Sequence, residues 1–193
     1  GIAGEAMMEN ATVSLVLETE PIAIIYDCLP NLCRQPLNTQ IERQVNAVQL
    51  TRRIYPDVPI IMIDFACYIN WEVNSEYNGY TVNAHQAYRQ TKDKLLNELH
   101  ITNIEFIPKE ELNYSINDFS DEIHPTEVGM AKHASVVLPR LYKILDNPNS
   151  EAIYTTQKSL SQYRYLGFRD RHYELIESIK QNKPTKVLIG DDI

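Results

Sequence analysis

The chain has 193 residues, 44% hydrophobic and 23% charged, a balance that supports one well-buried core. Its 26 acidic residues against 18 basic ones leave a formal charge of −8, a surface that repels phosphate backbones and anionic lipid and argues against nucleic acid as a partner. No window of about 18 apolar residues occurs, so no membrane-spanning helix is expected.

The opening GIAGEAMMEN has neither a basic segment nor a long apolar run. It does not read as a secretion signal, and it opens on loop chemistry rather than on a strand. Residues 5–18 carry Met8, Val13, Leu15 and Val16 at roughly helical spacing, and Pro21 bounds this predicted helix. IAIIYDCL at 22–29 is a short β-branched run flanked by prolines, the pattern of a strand buried on both faces. Residues 38–55 form an amphipathic helix, with Asn38 or Thr39 as its N-cap. VPIIMIDFA at 58–66 is a second buried strand. Residues 67–80 are polar, aromatic and loop-like. A helix over 82–100, a strand over 103–108 and a polar loop or short helix over 110–120 follow. Residues 126–145 are a strong helix, with Val128, Met130, Ala131, Ala134, Val137, Leu138 and Leu141 at apolar positions.

Strands alternating with helices predict an α/β fold, three layers deep, with a parallel sheet between helices. Function then collects at the carboxyl ends of the strands. The character changes after residue 145. Residues 146–161 are polar and helix-poor, 165–181 read as a helix and 186–189 as a fourth strand. The chain thus divides into a main domain over 1–148, a linker over 149–164 and a helix plus strand over 165–193.

Three cysteines, Cys28, Cys33 and Cys67, give no even disulfide framework and no metal-ligand spacing. No phosphate-cradling glycine loop is present either, so neither metal nor cofactor is expected. Three strand-end loops carry the chemistry instead. In DEIHPTEVGM, Asp121 and His124 stand three residues apart just before a helix, with Pro125 expected in its first turn. That spacing lets a carboxylate hold one imidazole nitrogen and leave the other as a general base, though it equally suits a helix cap with an incidental histidine. In YDCLPNL, the amide of Asn31 can donate to an oxyanion, or Asn31 is a simple turn residue after Pro30. In GIAGEA, the backbone N–H of Gly4 near a helix start is a natural oxyanion donor, or Gly4 is a plain loop glycine.

Together, the glycine loop, D-x-x-P-N after a strand, and D-x-x-H-P-T-x-x-G-M before a helix resemble the SGNH/GDSL hydrolase family over about residues 1–145. The resemblance implies acyl-ester hydrolysis, a flavodoxin-like sheet and no cofactor. It implies that Gly4 and Asn31 form an oxyanion hole, that His124 is the general base and that Asp121 orients it. In the family the nucleophilic serine lies on a Gly-Asp-Ser turn after the first strand. Here that turn is missing upstream, and the counterpart is the terminal KVLIGDDI, where Asp192 occupies the serine position. A tandem protein cut between domains and a circular permutation both explain this order. Either way the strand at 187–189 is expected to pair beside residues 22–26, since an open apolar edge is an aggregation hazard. A second hydrolase domain or a strand-exchanged dimer are the corresponding partners.

Asp192 is a poor nucleophile. Its charge opposes an oxyanion and favours a protonated His124, so little or no esterase activity is expected. Ser120, beside Asp121, is the nearest other serine. The expected substrate is a small-molecule or carbohydrate ester, in particular an acetylated sugar, which would suit a secreted or periplasmic enzyme. Trp71, Tyr68, Tyr77 and Tyr80 could then stack on sugar rings, unless their loop packs on the sheet edge. His85, His100, His133 and His172 read as surface or packing residues. The alternative function is a non-catalytic glycan-binding or domain-docking module on the same fold.

Overall fold

A computed structural model of the chain describes residues 4–145 and 188–189. The elements in order are α1 (Asn10–Leu17), β1 (Ile24–Tyr26), α2 (Leu29–Leu32), α3 (Leu37–Ile54), β2 (Ile60–Ile63) and α4 (Ser75–Asp93). A π-helical turn (Lys94–Glu98) extends α4, and β3 (Ile104–Ile107) follows. Then come α5 (Lys109–Leu112), a 3-10 turn (Ile116–Asp118), α6 (Glu127–Leu145) and β4 (Leu188–Ile189). The sheet has the order β3-β2-β1-β4, and every pairing is parallel. The predicted edge pairing is present, with Leu188 opposite Ile24 and Ile189 opposite Ile25. The predicted linker and the helix at 165–181 lie outside the described residues.

Successive strand side chains point to opposite faces, and both faces are covered. Ile24, Tyr26, Ile60 and Met62 pack on one side with Val13 and Leu17 of α1, Val45 and Val48 of α3, and Ala84 and Tyr88 of α4. Ile25, Ile61, Ile63 and Ile107 pack on the other with Leu112 of α5 and Val137 and Leu141 of α6. This is the expected three-layer α/β/α arrangement. One polar pair inside it is bonded: the Thr51 hydroxyl donates to Ala47 O at 2.9 Å and meets Tyr26 Oη at 2.8 Å.

Several predicted boundaries are wrong, for local reasons. The first helix begins at Asn10 rather than at residue 5, because Met8 adopts a left-handed φ of 52° that ends helical continuity. α3 begins after Pro36 with no side-chain cap, so neither Asn38 nor Thr39 plays that part. The stretch taken as loop to residue 80 is helical from Ser75, because Asn74 Oδ1 accepts from the N–H of Glu76 and Tyr77 at 3.0 and 3.2 Å. The buried face of α4 is Thr81, Ala84, His85, Ala87, Tyr88 and Thr91, a mixture whose early turns carry no aliphatic stripe.

Candidate active site

The loop over residues 118–126 is a closed structure between the 3-10 turn and α6. Asp118 O accepts from Thr126 N at 2.7 Å and from its hydroxyl at 3.1 Å. Ser120 N donates to His124 O at 2.8 Å, and Phe119 forms an antiparallel bridge with Pro125. Pro125 therefore lies in this bridge and not in the first turn of α6. Gly129 makes the arrangement possible: a Cβ there would stand 2.2 Å from Asp118 O and 2.9 Å from Pro125 Cβ. The Asp118 carboxylate is held by Ser115 N, the Ser115 hydroxyl and Lys132 Nζ at 2.6, 2.8 and 2.5 Å.

Within this frame Asp121 does two things at once. Its Oδ1 accepts from the backbone N–H of Ile123 and His124 at 2.9 and 2.8 Å, closing the turn. Its Oδ2 lies 2.7 Å from Nδ1 of His124. The carboxylate thus holds the imidazole and caps this turn; it is not the helix cap of the other reading, since α6 begins only at Glu127. The backbone N–H of His124, then that of Ile123, then the imidazole lower its pKa to about 2. Both side chains are exposed, 61% for His124 and 54% for Asp121. Glu122 ties the loop down from outside, its carbonyl accepting from Ile69 N at 2.9 Å and its carboxylate from the Tyr77 hydroxyl. Ser120 Oγ donates to the His124 carbonyl at 3.0 Å, so this hydroxyl closes the loop and does not address the ring.

Gly4, Asn31 and His124 line one cavity of about 420 Å³ at the carboxyl ends of β1 and β2. The sequence separates these residues widely; the parallel sheet gathers them. Asn31 sits in α2, and its N–H donates to Cys28 O at 3.2 Å. Gly4 differs from expectation. It lies upstream of α1 rather than at a helix start, and its φ of +75° is a conformation that favours glycine. Asp192 lies outside the described residues.

The cavity holds groups that sequence reasoning missed. His133, taken as a packing residue, is half-buried, with Nε2 3.3 Å from Asp27 Oδ2 and Nδ1 3.0 Å from the Tyr114 hydroxyl. Burial lowers its pKa, which favours the neutral imidazole between the Asp27 carboxylate and the Tyr114 hydroxyl. Asp64, just past β2, is 5% exposed and has its pKa pushed up to about 7, chiefly by burial, with N–H bonds from Phe65 and Lys109 acting against the rise. Tyr68 is buried, stacked on Tyr77 at 4.3 Å and edge-on to Phe65 at 5.5 Å. Of the two readings of these aromatics, the packed one fits the structure and the exposed sugar platform does not: Tyr68 is in the core, and Trp71, Tyr77 and Tyr80 pack against it. Only the strand-end position of Asp27 and Asp64 signals their place in the sequence.

Chemically, an imidazole held at Nδ1 by a carboxylate keeps Nε2 for proton transfer, and nearby backbone and amide donors can stabilise developing charge on oxygen. Among the described residues no group of three or more His, Cys, Asp or Glu is placed to hold a metal ion, and no helix is long and apolar enough to cross a membrane.

Comparison with known proteins points the same way. A search of the curated proteins finds no match. Two solved structures share the fold. A protein described as a GDSL-like lipase, from Bacteroides ovatus ATCC 8483, superposes with a TM-score of 0.64 at 24% identity, over 74% of this chain and 42% of that one. The salicylyl-acyltransferase SsfX3 of a tetracycline biosynthetic pathway superposes with a TM-score of 0.59 at 13% identity, over 74% and 43%. The chain thus spans less than half the length of either. The GDSL-like Lipase/Acylhydrolase family profile matches residues 1–142, most of the chain and all of the loops just described, and the chain belongs to that family.

Proposed function

We propose that this domain carries an acyl-ester hydrolase site in which His124 is the general base, Asp121 its orienter, and Gly4 and Asn31 the oxyanion donors. The observation that carries the proposal is the meeting of Gly4, Asn31 and His124 around one cavity, with Asp121 on the far nitrogen of the imidazole. In this reading position 192, three residues past β4, is the nucleophile position. With serine there, its proton passes to His124 Nε2 as oxygen attacks the ester carbonyl. The oxyanion is met by the Gly4 N–H and the Asn31 amide. The alcohol leaves with the proton from His124, and water then cleaves the acyl-enzyme by the same route.

With Asp192 in that place the domain hydrolyses little or nothing. The carboxylate opposes the oxyanion and stabilises imidazolium, which cannot accept a proton. The substrate class is a small acyl ester, with acetyl groups on a sugar as the leading case. Asp192 also supports a second reading, a non-catalytic glycan-binding or docking module on the same fold. The boundaries 1–148, 149–164 and 165–193 go with the first reading, the last segment belonging to a second or permuted hydrolase unit.

The test is aryl acetate hydrolysis by the chain and by Asp192→Ser side by side. Turnover by the serine variant alone, lost again with His124→Ala, supports the hydrolase. No turnover by either favours the module. Turnover by the unaltered chain that survives His124→Ala overturns the assignment.

A further inference from the structure

Arg34 follows α2 and lines the same cavity as Asn31 and His124. Its Nε donates to the Tyr68 hydroxyl at 3.2 Å. Tyr68 is 1% exposed and clamped between Tyr77 and Phe65, so the guanidinium is anchored from behind by a rigid group. Anchoring through Nε leaves the two terminal nitrogens as a planar fork of donors.

Some basic groups of the domain are committed to carboxylates. Arg43 meets Glu9, Arg140 meets Glu105 and Glu111, and Lys132 meets Asp118. Among the described residues no carboxylate oxygen lies within 4.0 Å of Arg34, and its side-chain partner is the neutral Tyr68 hydroxyl. The acids of the cavity, Asp27 and Asp64, stand past β1 and β2 on its floor, and Asp27 is engaged with His133. The cavity is therefore acidic below and carries a forked cation at its exposed edge, three residues beyond Asn31.

We infer that Arg34 is an anion subsite, and that this domain takes esters carrying a carboxylate near the ester group, the carboxylate meeting the Arg34 fork while the ester carbonyl faces Asn31. Bidentate guanidinium–carboxylate geometry supplies both affinity and orientation. An acyl ester on an acidic sugar would satisfy this and the preceding proposal together. The inference deepens the hydrolase reading and rests on it only for the position of the ester carbonyl.

The experiment is a nitrogen-15 NMR titration of the full chain with monomethyl succinate and with methyl butyrate, a neutral ester of similar size. Monomethyl succinate should shift the Arg34 Nε, Asn31 and His124 signals and bind at least tenfold more tightly than the neutral ester. Arg34→Met should abolish that preference, a loss of about 1.4 kcal/mol or more. Arg34→Lys should keep part of it, since charge remains but the fork is gone, and circular dichroism confirms that each variant folds. Equal binding of the two esters, binding of neither up to their solubility limits, or a preference that survives Arg34→Met each overturns the inference. The two proposals fail separately. If Asp192→Ser is inactive but the Arg34-dependent preference persists, the subsite stands and the hydrolase reading falls. If that variant hydrolyses both esters alike, and equally well with Arg34→Met, the hydrolase reading stands and the subsite falls.

Discussion

Replacing Asp64 by Asn should stabilise the domain at alkaline pH and change little in acid. Asp64 is 5% exposed, and burial raises its pKa from the ordinary 3.8 to about 7. Between those values the folded state binds more protons than the unfolded one, so stability falls as pH rises. At about 1.4 kcal/mol per tenfold change in proton affinity, a rise of this size works against folding by roughly 4 kcal/mol once Asp64 is fully ionised in both states. Between pH 5 and pH 8 the loss is about 2–3 kcal/mol by the same linkage. Burial also lowers the pKa of His85 and of His133, so the wild-type curve alone mixes several groups. The difference between wild type and Asp64→Asn isolates the one carboxyl. Asn can still accept the Phe65 N–H, which reaches Asp64 Oδ1 at 2.8 Å. Urea unfolding of both proteins across this pH range gives the comparison, and the Asn variant should gain steadily as pH rises. A stability difference that stays flat from pH 5 to pH 8 would refute the raised pKa of this buried carboxyl.

Gly129→Ala should destabilise by about 1–3 kcal/mol in chemical unfolding, the usual penalty for forcing atoms into a packed contact, because its Cβ would fall 2.2 Å from Asp118 O. The same variant should broaden the His124 resonances, since Asp118 O anchors the loop through Thr126. The Asp121 contact with His124 should survive mild acid. The Asp121 pKa is depressed to about 2, so its contribution is present above the ordinary 3.8 and is lost as pH falls toward about 2. Carbon-13 titration of the carboxyl checks this, and a midpoint near 4 contradicts it. Tyr77→Phe removes the donor to Glu122 and should speed amide exchange at Ile69, whose N–H bonds the Glu122 carbonyl, while amides in β2 keep their protection.

The fold was legible wherever one residue type dominated an element. IIMI in β2 is buried throughout, and its alternation sends Ile60 and Met62 to one helix layer and Ile61 and Ile63 to the other. The Asp121–His124 loop was legible because both partners lie in one turn, where spacing alone brings them together. Long-range meetings were not. His133 finds Asp27 only because α6 packs over β1, and Asp64 differs from any other strand-end acid only by burial that follows from the completed fold. The first turns of α4 were missed because the cap, Asn74, begins a stretch rich in Tyr and Glu whose packing partners are distant in sequence. Gly4 lines the cavity through a left-handed turn and not through the helix start that its neighbours in sequence suggest.

In the proposed function, position 192 completes a site whose base is His124. Covalent labelling of Asp192→Ser by a fluorophosphonate ester, followed by peptide mass spectrometry, tests this. A phosphonyl adduct is expected on the introduced serine, absent from the unaltered chain and lost when His124→Ala is added. No adduct, or one that forms equally without His124, would contradict it.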